Sequence, residues 1–479
     1  MESDEKQVEI SKKHATLILI NVCVGQFIVG LDQRALLVAL PTLSHIFNTS
    51  LTTIQWVLLI YDLMLIGLVI TVGRLGDLFG RRRFYASGFL IFVLSSALCG
   101  AAQSAWQIIF FRGLQAIGGA MISANGRAVA SVALPPGERG KAMGLASMAF
   151  HIGFLTGPTL GGFLIDTVGW RWIFYLNLPV GLWAAYLAWK LLEESREDVK
   201  GISIDFPGAI LLMITYSLFI YAMNQLPHTG WRDSTVIRTM ILSLVALAMF
   251  VFVELRVKTP ILSFSLFRNR LFSASMLSLF FITLTQSAIS FLMPFYLQNI
   301  LRFSPSQMGW IMISNSVVIV MIAPIAGWLS DRMGSRLLCT VGSALIVVAQ
   351  FFIASLGLDA SIPRIVFPLV LTGLGWALFN SPNQSAILGA VPRDKVGTAS
   401  GMTTTTARTG GAMGVALSAT LFTYGLASGG LSLLQIESPQ SWGVAPEIFV
   451  RSFNHTVHIV NFLTLLSIVF SIVRGSRQE

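Results

Sequence analysis

Apolar residues form long, nearly uninterrupted runs from one end of this 479-residue chain to the other. A hydrocarbon core about 30 Å thick needs about 20 apolar residues of helix to cross it. Fourteen runs reach or approach that length, so the pattern predicts an all-α polytopic membrane protein with fourteen transmembrane helices. The predicted spans are residues 15–40, 54–73, 84–104, 106–130, 142–165, 173–192, 206–226, 236–255, 272–299, 307–329, 337–357, 363–390, 398–426 and 456–473.

The composition and the placement of charge agree with this pattern. The chain is 54% hydrophobic and 11% charged, whereas an ordinary soluble domain is about 25% charged. With the N-terminus taken as cytoplasmic, 21 Lys and Arg lie in inner segments, 6 in outer segments and five within or at the ends of spans. This bias follows the positive-inside rule and predicts that both termini are cytoplasmic. The net charge of +10 therefore needs no nucleic-acid partner to explain it.

Two sequence patterns occur twice along the chain. The pattern at residues 73–82 returns at 327–336, 254 residues later, and that at 135–144 returns at 392–401, 257 residues later. Duplicated halves of this kind occur in membrane transporters. The predicted organisation is a cytoplasmic N-terminal tail (1–14), an N-terminal six-helix bundle (15–192), a cytoplasmic linker (193–205), an inserted helix pair (206–255), a second cytoplasmic linker (256–271), a C-terminal six-helix bundle (272–473) and a cytoplasmic tail (474–479).

The first repeated pattern has the residue types of a conformational gate. Glycines let the inner ends of two helices approach closely, and a carboxylate is stabilised near the positive N-terminus of a neighbouring helix. Such a contact would hold one conformation and break in another; the alternative is a tight loop that only carries positive-inside charge. The candidate gate residues are Gly73, Asp77, Gly80, Arg81, Arg82, Asp331 and Arg336.

The run from Gly73 to Arg83 resembles the loop signature of the major facilitator superfamily. The stretch 112–119 resembles the superfamily's fourth-span motif, and 153–162 resembles the fifth-span motif associated with antiporters. The stretches 31–41, 170–179 and 296–305 resemble motifs of the fourteen-span drug:proton antiporter branch. The resemblance implies the major facilitator fold, two six-helix bundles plus two inserted helices, with the bundles rocking around a central cavity and export driven by inward proton flow.

Span five carries a stripe of glycines around a proline. Gly153, Gly157 and Gly161 recur every four residues, Gly162 follows, and Pro158 removes a backbone hydrogen bond and can kink the helix. A small-residue stripe of this kind is often only a packing face. Its position in the resemblance favours the second interpretation, an antiporter hinge.

Three ionisable residues lie at similar depth in their spans. Asp32, Asp62 and Arg112 are each about 6–8 residues from the outer end, which is roughly 10 Å at 1.5 Å per residue. Ionisable groups inside a membrane are functional candidates by default. We expect Asp32 to carry the coupling proton and Arg112 to be its switchable partner; a fixed structural ion pair is the alternative.

Asp62 and Arg34 depart from the family pattern. Asp62 attracts cationic substrates, carries a second proton, or pairs with Arg112 or Arg34, and the sequence does not separate these roles. Arg34 lies two residues after Asp32, about 200° away around a helix. It either snorkels towards the headgroups or lines the cavity and favours an anionic or zwitterionic substrate.

Further polar and aromatic side chains fall within spans. His151 and Arg408 occupy corresponding places in the two halves, and we expect both to face the bundle interior, with hydrogen bonds to satisfy them. The other candidates for the substrate cavity are Tyr61, Asn125, Phe154, Asn380, Asn383 and Gln384.

The chain has no Walker-type phosphate loop and no catalytic constellation, so the sequence predicts neither ATP hydrolysis nor an enzyme. His455 and His458 alone are a weak metal signal. We expect a monomer in a bacterial-type inner membrane, in contact with the lipid bilayer, protons and a small-molecule substrate, with no cofactor. The expected activity is multidrug efflux by alternating access; the alternatives are export of one endogenous metabolite, peptide or lipid, and a membrane sensor or scaffold that does not transport.

Overall fold

The computed structural model describes residues 2–133, 139–192, 206–257, 264–392, 396–432, 435 and 445–474, and contains no strand among them. The predicted all-α fold is therefore confirmed. A short 3₁₀ helix, Phe264–Arg268, precedes α11. The α-helices are α1 (Glu2–Ile46), α2 (Leu51–Ile54), α3 (Trp56–Phe79), α4 (Arg81–Ala101), α5 (Ala105–Ala133), α6 (Arg139–Thr167), α7 (Trp172–Tyr175), α8 (Asn177–Leu191), α9 (Phe206–Thr229), α10 (Ser234–Glu254), α11 (Arg270–Asn299), α12 (Pro305–Met333), α13 (Ser335–Ile353), α14 (Ile362–Gly389), α15 (Val396–Ser428) and α16 (Pro446–Val473).

Each of the fourteen predicted spans has a helix at its position. Within the described ranges, twelve helices are long and apolar enough to cross a membrane by length and composition. The other two positions are α5, which carries Arg112, Gln115 and Asn125 among its apolar residues, and the α7–α8 pair, whose longer helix has 15 residues. Helices α5 and α8 supply polar side chains to the site described below.

Helix ends differ from the predicted spans where polar residues continue a helix. α1 begins at Glu2, so the predicted tail 1–14 is largely helical, and α16 begins ten residues before the predicted span. The linker 193–205 lies outside the described residues, as do 258–263 of the second linker and 475–479 of the C-terminal tail.

Contacts divide the chain into two compact units. Unit 1 comprises residues 1–39 and 60–206, and unit 2 comprises residues 40–59 and 207–479. The inserted pair α9 and α10 belongs to unit 2, and so does the segment 40–59 that joins α1 to α3. The predicted boundaries did not assign that segment to the second half.

Polar contacts explain this assignment. An imidazole nitrogen of His45 lies 2.7 Å from Asn299 Oδ1 in α11, and Gln55 Nε2 donates to Asn224 Oδ1 in α9 at 2.6 Å. Helix α9 also contacts α15, where the Tyr216 hydroxyl lies 2.8 Å from Thr409 Oγ1. The inserted pair is thereby joined to both the 40–59 segment and α15.

The two units repeat the same close helix packing. In unit 1, α4 and α5 meet at Gly88 and Gly118, where a Cβ on Gly118 would lie 2.7 Å from the Gly88 carbonyl oxygen. In unit 2, α13 and α14 meet at Gly342 and Gly375, where a Cβ on either would lie 2.6 Å from the carbonyl oxygen of the other. These pairs are 254 and 257 residues apart in sequence, the same offsets as the repeated motifs.

Candidate functional site

The interior of unit 1 contains a sealed ion pair. Asp32 of α1 and Arg112 of α5 are each 1% exposed. Arg112 Nη1 donates to Asp32 Oδ2 and also to Gln115 Oε1 at 2.7 Å. The structure thus brings together two of the three residues that were predicted to lie at the same depth. The contact between Asp32 and Arg112 does not by itself identify a proton carrier. The proton-coupling role of Asp32 and the partner role of Arg112 stay predictions.

Amide side chains complete the coordination of the carboxylate. Asp32 Oδ1 accepts hydrogen bonds from Gln115 Nε2 at 3.0 Å and from Asn177 Nδ2 at 3.1 Å. Both amides also donate to Ser96 Oγ, at 2.6 and 3.4 Å. Helices α1, α4, α5 and α8 therefore converge on one carboxylate.

An aromatic ring covers the cationic side of this cluster. The Arg112 guanidinium lies 4.2 Å from the centre of the Tyr61 ring, and Tyr61 is itself buried. A cation over an aromatic face is attracted by the ring quadrupole, more strongly when water is absent. Removing one partner from a buried ion pair costs about 3–5 kcal/mol. We therefore expect the loss of either charge alone to destabilise this cluster.

A second pair of charges lies nearby in the same unit, with greater exposure. The Arg34 guanidinium is 4.0 Å from the centre of the Phe154 ring in α6 and interacts electrostatically with Asp62 in α3. Arg34, Asp62 and Phe154 are each half-buried. Arg34 is one of the partners predicted for Asp62, and the two side chains interact electrostatically.

The glycine stripe of α6 packs against α1. A Cβ on Gly153 would collide with the Phe27 carbonyl, one on Gly157 would lie 2.7 Å from Arg34 Cβ, and one on Gly161 would lie 2.8 Å from the Ala35 carbonyl oxygen. Gly162 and Pro158 are buried in the same helix. The stripe is a close-packing face, and its action as a hinge stays a prediction.

The candidate gate is described in part. Gly80 and the corresponding Gly334 both have positive φ, 110° and 79°, which glycine adopts without strain. The Arg82 guanidinium lies 4.9 Å from the Trp189 ring centre. Gly73, Gly80 and Arg81 are half-buried or buried, and Arg336 is exposed. The side chains of Asp77 and Asp331 lie outside the described part of the chain, so the carboxylate contact stays a prediction.

The remaining candidates fall at scattered places in their own units. Asn125 donates to the Met121 carbonyl at 3.0 Å and Asn383 to the Ser275 carbonyl at 3.2 Å, and both are buried. Arg408 and Asn380 are half-buried, whereas Gln384 is exposed.

His151 is not enclosed in the closely packed core of unit 1, and its place in a substrate cavity stays a prediction. The side chain is exposed, with its ring 5.6 Å from that of Phe150. The reason is helical geometry: Gly153 faces α1, and residues two apart on a helix point about 200° away from one another.

Sequence reasoning missed three members of the sealed cluster. Gln115 lies three residues after Arg112, which places both on one helix face, so its contribution was open to prediction. Asn177 stands within the family-like stretch 170–179 and Ser96 in an otherwise apolar run. Neither residue carried a signal for contact with Asp32, because that contact depends on how α4 and α8 are rotated in the bundle.

Known proteins with similar sequences or folds agree with this architecture. The chain is 32% identical over 441 residues to the riboflavin transporter RibZ of Clostridioides difficile, covering 91% of this chain and 95% of RibZ. It is 30% identical over 446 residues to the multidrug resistance protein Stp of Mycobacterium tuberculosis, covering 92% and 83%. A bacterial homologue of the human lysosomal transporter Spinster, solved inward-facing and unoccupied, has the same fold, with a TM-score of 0.71, 16% identity and coverage of 96% and 97%.

The sequence model of one protein family, the Major Facilitator Superfamily, matches residues 22–415 of this chain. The match spans both units and includes the motifs at 31–41, 73–83, 112–119 and 153–162. The chain belongs to the Major Facilitator Superfamily and is a membrane transporter rather than an enzyme.

Proposed function

We propose that the protein exports small amphipathic or lipophilic compounds in exchange for protons, which is multidrug efflux by alternating access. The observation that carries the proposal is the sealed pair of Asp32 and Arg112. Ionisable residues within membrane spans are expensive and are typical of proton relays and substrate pathways. The multidrug resistance protein among the relatives supports this class of cargo.

In this proposal, Asp32 is the proton carrier and Arg112 is its switchable partner. Protonation of an Asp32 oxygen removes the negative half of the pair and leaves the Arg112 charge without its counter-ion in an apolar interior. Because that state costs several kcal/mol, the helices that carry the two residues favour another arrangement. Proton binding and helix position are coupled in this way through the chain's own residues, and the proton gradient drives the cycle without a cofactor.

The bacterial relatives support a location in the cell membrane, and the charge bias supports an orientation with both termini in the cytoplasm. Inward proton flow then means that Asp32 receives its proton from the outer side and releases it on the inner side. Asp32 lies closer to the outer end of its predicted span, 15–40, which is consistent with entry of the proton from the outer side.

A second candidate is a dedicated exporter of one metabolite. It is favoured by the relative that is named a riboflavin transporter, since this chain aligns with 95% of that protein and with 83% of the multidrug resistance protein. A sensor or scaffold that does not transport is the third alternative, and it gives no reason for four helices to converge on one buried carboxylate.

The test uses purified full-length protein in liposomes that enclose a pH-sensitive dye, with a panel of drugs and riboflavin as cargo. We expect cargo to change the internal pH with wild-type protein and not with Asp32→Asn. Asp233→Asn is the matched control, because Asp233 caps α10 by accepting hydrogen bonds from Thr235 and Val236, and asparagine caps a helix as well.

Each outcome of this experiment decides between the candidates. Proton-driven transport by Asp32→Asn would overturn the coupling role. A response to riboflavin alone would favour the dedicated exporter, and no response to any cargo would favour the scaffold.

A further inference from the structure

Unit 1 presents a cluster of charged and aromatic side chains that the proton-coupling pair does not use. We call Arg34, Asp62, Phe150 and Phe154 the Arg34 platform. The Arg34 guanidinium is 4.0 Å from the Phe154 ring centre, and the Phe154 and Phe150 ring centres are 6.0 Å apart with an interplanar angle of 30°. The negative charge of Asp62 interacts electrostatically with Arg34.

Backbone packing fixes the platform. A Cβ on Gly157 would lie 2.7 Å from Arg34 Cβ, and a Cβ on Gly30 would collide with the Phe150 carbonyl. Glycines on both helices therefore bring α1 and α6 close enough for Arg34 to lie on Phe154. The position of the Arg34 guanidinium therefore depends on the close packing of the α1 and α6 backbones as well as on the conformation of the Arg34 side chain.

The side chains of the Arg34 platform are less completely buried than those of the sealed pair. Asp32 and Arg112 are 1% exposed, but Arg34, Asp62, Phe150 and Phe154 are half-buried. Charged side chains inside membrane spans face the protein interior or a water-filled space, because contact with hydrocarbon is costly. The partial exposure of Arg34 and Asp62 is therefore more consistent with a water-filled space beside α1 than with contact with hydrocarbon.

The two pairs point in different directions for a simple reason. Asp32 and Arg34 are two residues apart on α1, so they point about 200° away from one another, and Arg34 lies against α6. Tyr61 and Asp62 are adjacent on α3 and point about 100° apart. Tyr61 covers the Arg112 charge in the sealed cluster, while Asp62 interacts with Arg34.

We propose that the Arg34 platform binds cargo in which a planar aromatic ring carries a carboxylate. The acid forms hydrogen bonds with the N–H groups of Arg34 in competition with Asp62, and the ring stacks on Phe154 and Phe150. A guanidinium that stacks on a ring keeps its in-plane donors available, and their fork matches a carboxylate. When the ring of the cargo stacks on Phe154 and Phe150, the substituent on that ring lies beside Arg34. A positively charged substituent is repelled there by the guanidinium.

This proposal rests on the proposed function, since it names a class of cargo for the exporter. The probes are 2-naphthoate, 2-naphthamide and 2-naphthylmethylammonium, which share a ring and differ in charge. Binding to the full-length protein in nanodiscs is measured by calorimetry, with empty nanodiscs subtracted and no proton gradient present. We expect wild-type protein to bind the acid about tenfold more tightly than the amide, which corresponds to about 1.4 kcal/mol, and to bind the ammonium most weakly.

Three variants test the roles within the platform. Arg34→Gln should abolish the preference for the acid and leave binding of the amide unchanged. Asp62→Asn should tighten binding of the acid by removing its competitor, and Phe154→Leu should weaken binding of all three probes. Arg238→Gln, at an exposed arginine of α10 in unit 2, is the control and should bind like wild type.

The proposal is overturned if wild-type protein does not prefer the acid, or if Arg34→Gln keeps the preference. Should Arg34→Gln fail to fold, the proposal stands or falls on Asp62→Asn, because unchanged or weaker binding of the acid would contradict it. These measurements need no proton movement, so they can succeed when the Asp32→Asn test of coupling fails, and the reverse also holds.

Discussion

At the scale of single residues, the energetics of unit 1 depend on matching charges. Asp32 and Arg112 are sealed from water, and the described hydrogen bonds to Asp32 come from Arg112, Gln115 and Asn177. Neutralising one charge leaves the other in an apolar interior, whereas neutralising both leaves a polar contact between amides. The double substitution should therefore be milder than the single substitutions, which is the reverse of additive behaviour.

We predict that Arg112→Gln destabilises the folded protein by about 3–5 kcal/mol, because it leaves Asp32 without its counter-charge. Asp32→Asn combined with Arg112→Gln should recover most of that loss. The measurement is the thermal unfolding midpoint of purified protein in one detergent, with Arg238→Gln as the control for loss of an exposed arginine. A double variant that is less stable than Arg112→Gln alone would contradict the paired-charge account.

The residue scale also shows how far the sequence could predict the site. Counting residues from the ends of spans placed Asp32, Asp62 and Arg112 at one depth, because rise per residue is a property of the isolated helix. The rotation of each helix is a tertiary property, so the same count could not show that Asp62 interacts with Arg34 or that Asn177 donates to Asp32. It could not show that His151 is exposed, either.

At the scale of elements, glycines decide which helices approach most closely. The stripe on α6 was visible in the sequence, and its partner α1 became clear only in the structure. Unit 2 repeats the arrangement, since a Cβ on Gly414 of α15 would collide with the Leu284 carbonyl of α11. Gly157 and Gly414 are 257 residues apart, the offset of the second repeated motif. The two halves therefore share the repeated sequence motifs and also the close approach of corresponding helix pairs at glycines.

We predict that Gly157→Ala destabilises the protein by about 1–3 kcal/mol, the usual cost of overpacking. Its Cβ would lie 2.8 Å from the Ala35 backbone nitrogen, so the obstacle is main chain and not a movable side chain. Gly389→Ala is the matched control, because a Cβ there meets nothing within 4 Å. Thermal unfolding and the yield of monodisperse protein measure the effect; equal losses in the two variants would mean that α6 can move away from α1 without cost.

The inserted pair shows an element whose place the sequence could not assign. Its spans were predicted from hydropathy alone, and nothing in α9 indicated that Asn224 meets Gln55 or that Tyr216 meets Thr409. Both contacts join residues more than 160 positions apart. Polar side chains on apolar helices are expected to form hydrogen bonds with other helices. Which side chain each one meets depends on tertiary packing.

At the scale of the whole molecule, the duplication holds for backbone packing and fails for charge. Gly153 and Gly157 contact Phe27 and Leu31 of α1, and Gly410 and Gly414 contact Phe280 and Leu284 of α11. By that correspondence, the residue of unit 2 that matches Asp32 is Thr285, which is fully buried and donates to the Ile282 carbonyl at 3.1 Å.

The partner position shows the same loss of charge. Gly118 of α5 matches Gly375 of α14, so Arg112 matches Leu369, which is buried and apolar. Unit 2 therefore keeps the helix scaffold of the sealed cluster without its acid or its base. A hydroxyl bonded within its own helix and a leucine cannot exchange a proton between two states. Under the proposed function, coupling belongs to unit 1 alone.

We predict that Thr285→Val leaves cargo-dependent proton movement within about twofold of wild type, whereas Asp32→Asn abolishes it. Valine has nearly the shape of threonine, and the lost hydrogen bond lies within one helix, with a net worth of about 1 kcal/mol. The assay is the dye-loaded liposome experiment, with the two variants reconstituted at equal protein content. If Thr285→Val lost proton movement while cargo binding and thermal stability were unchanged, unit 2 would have to take part in coupling, and the restriction of proton exchange to unit 1 would be wrong.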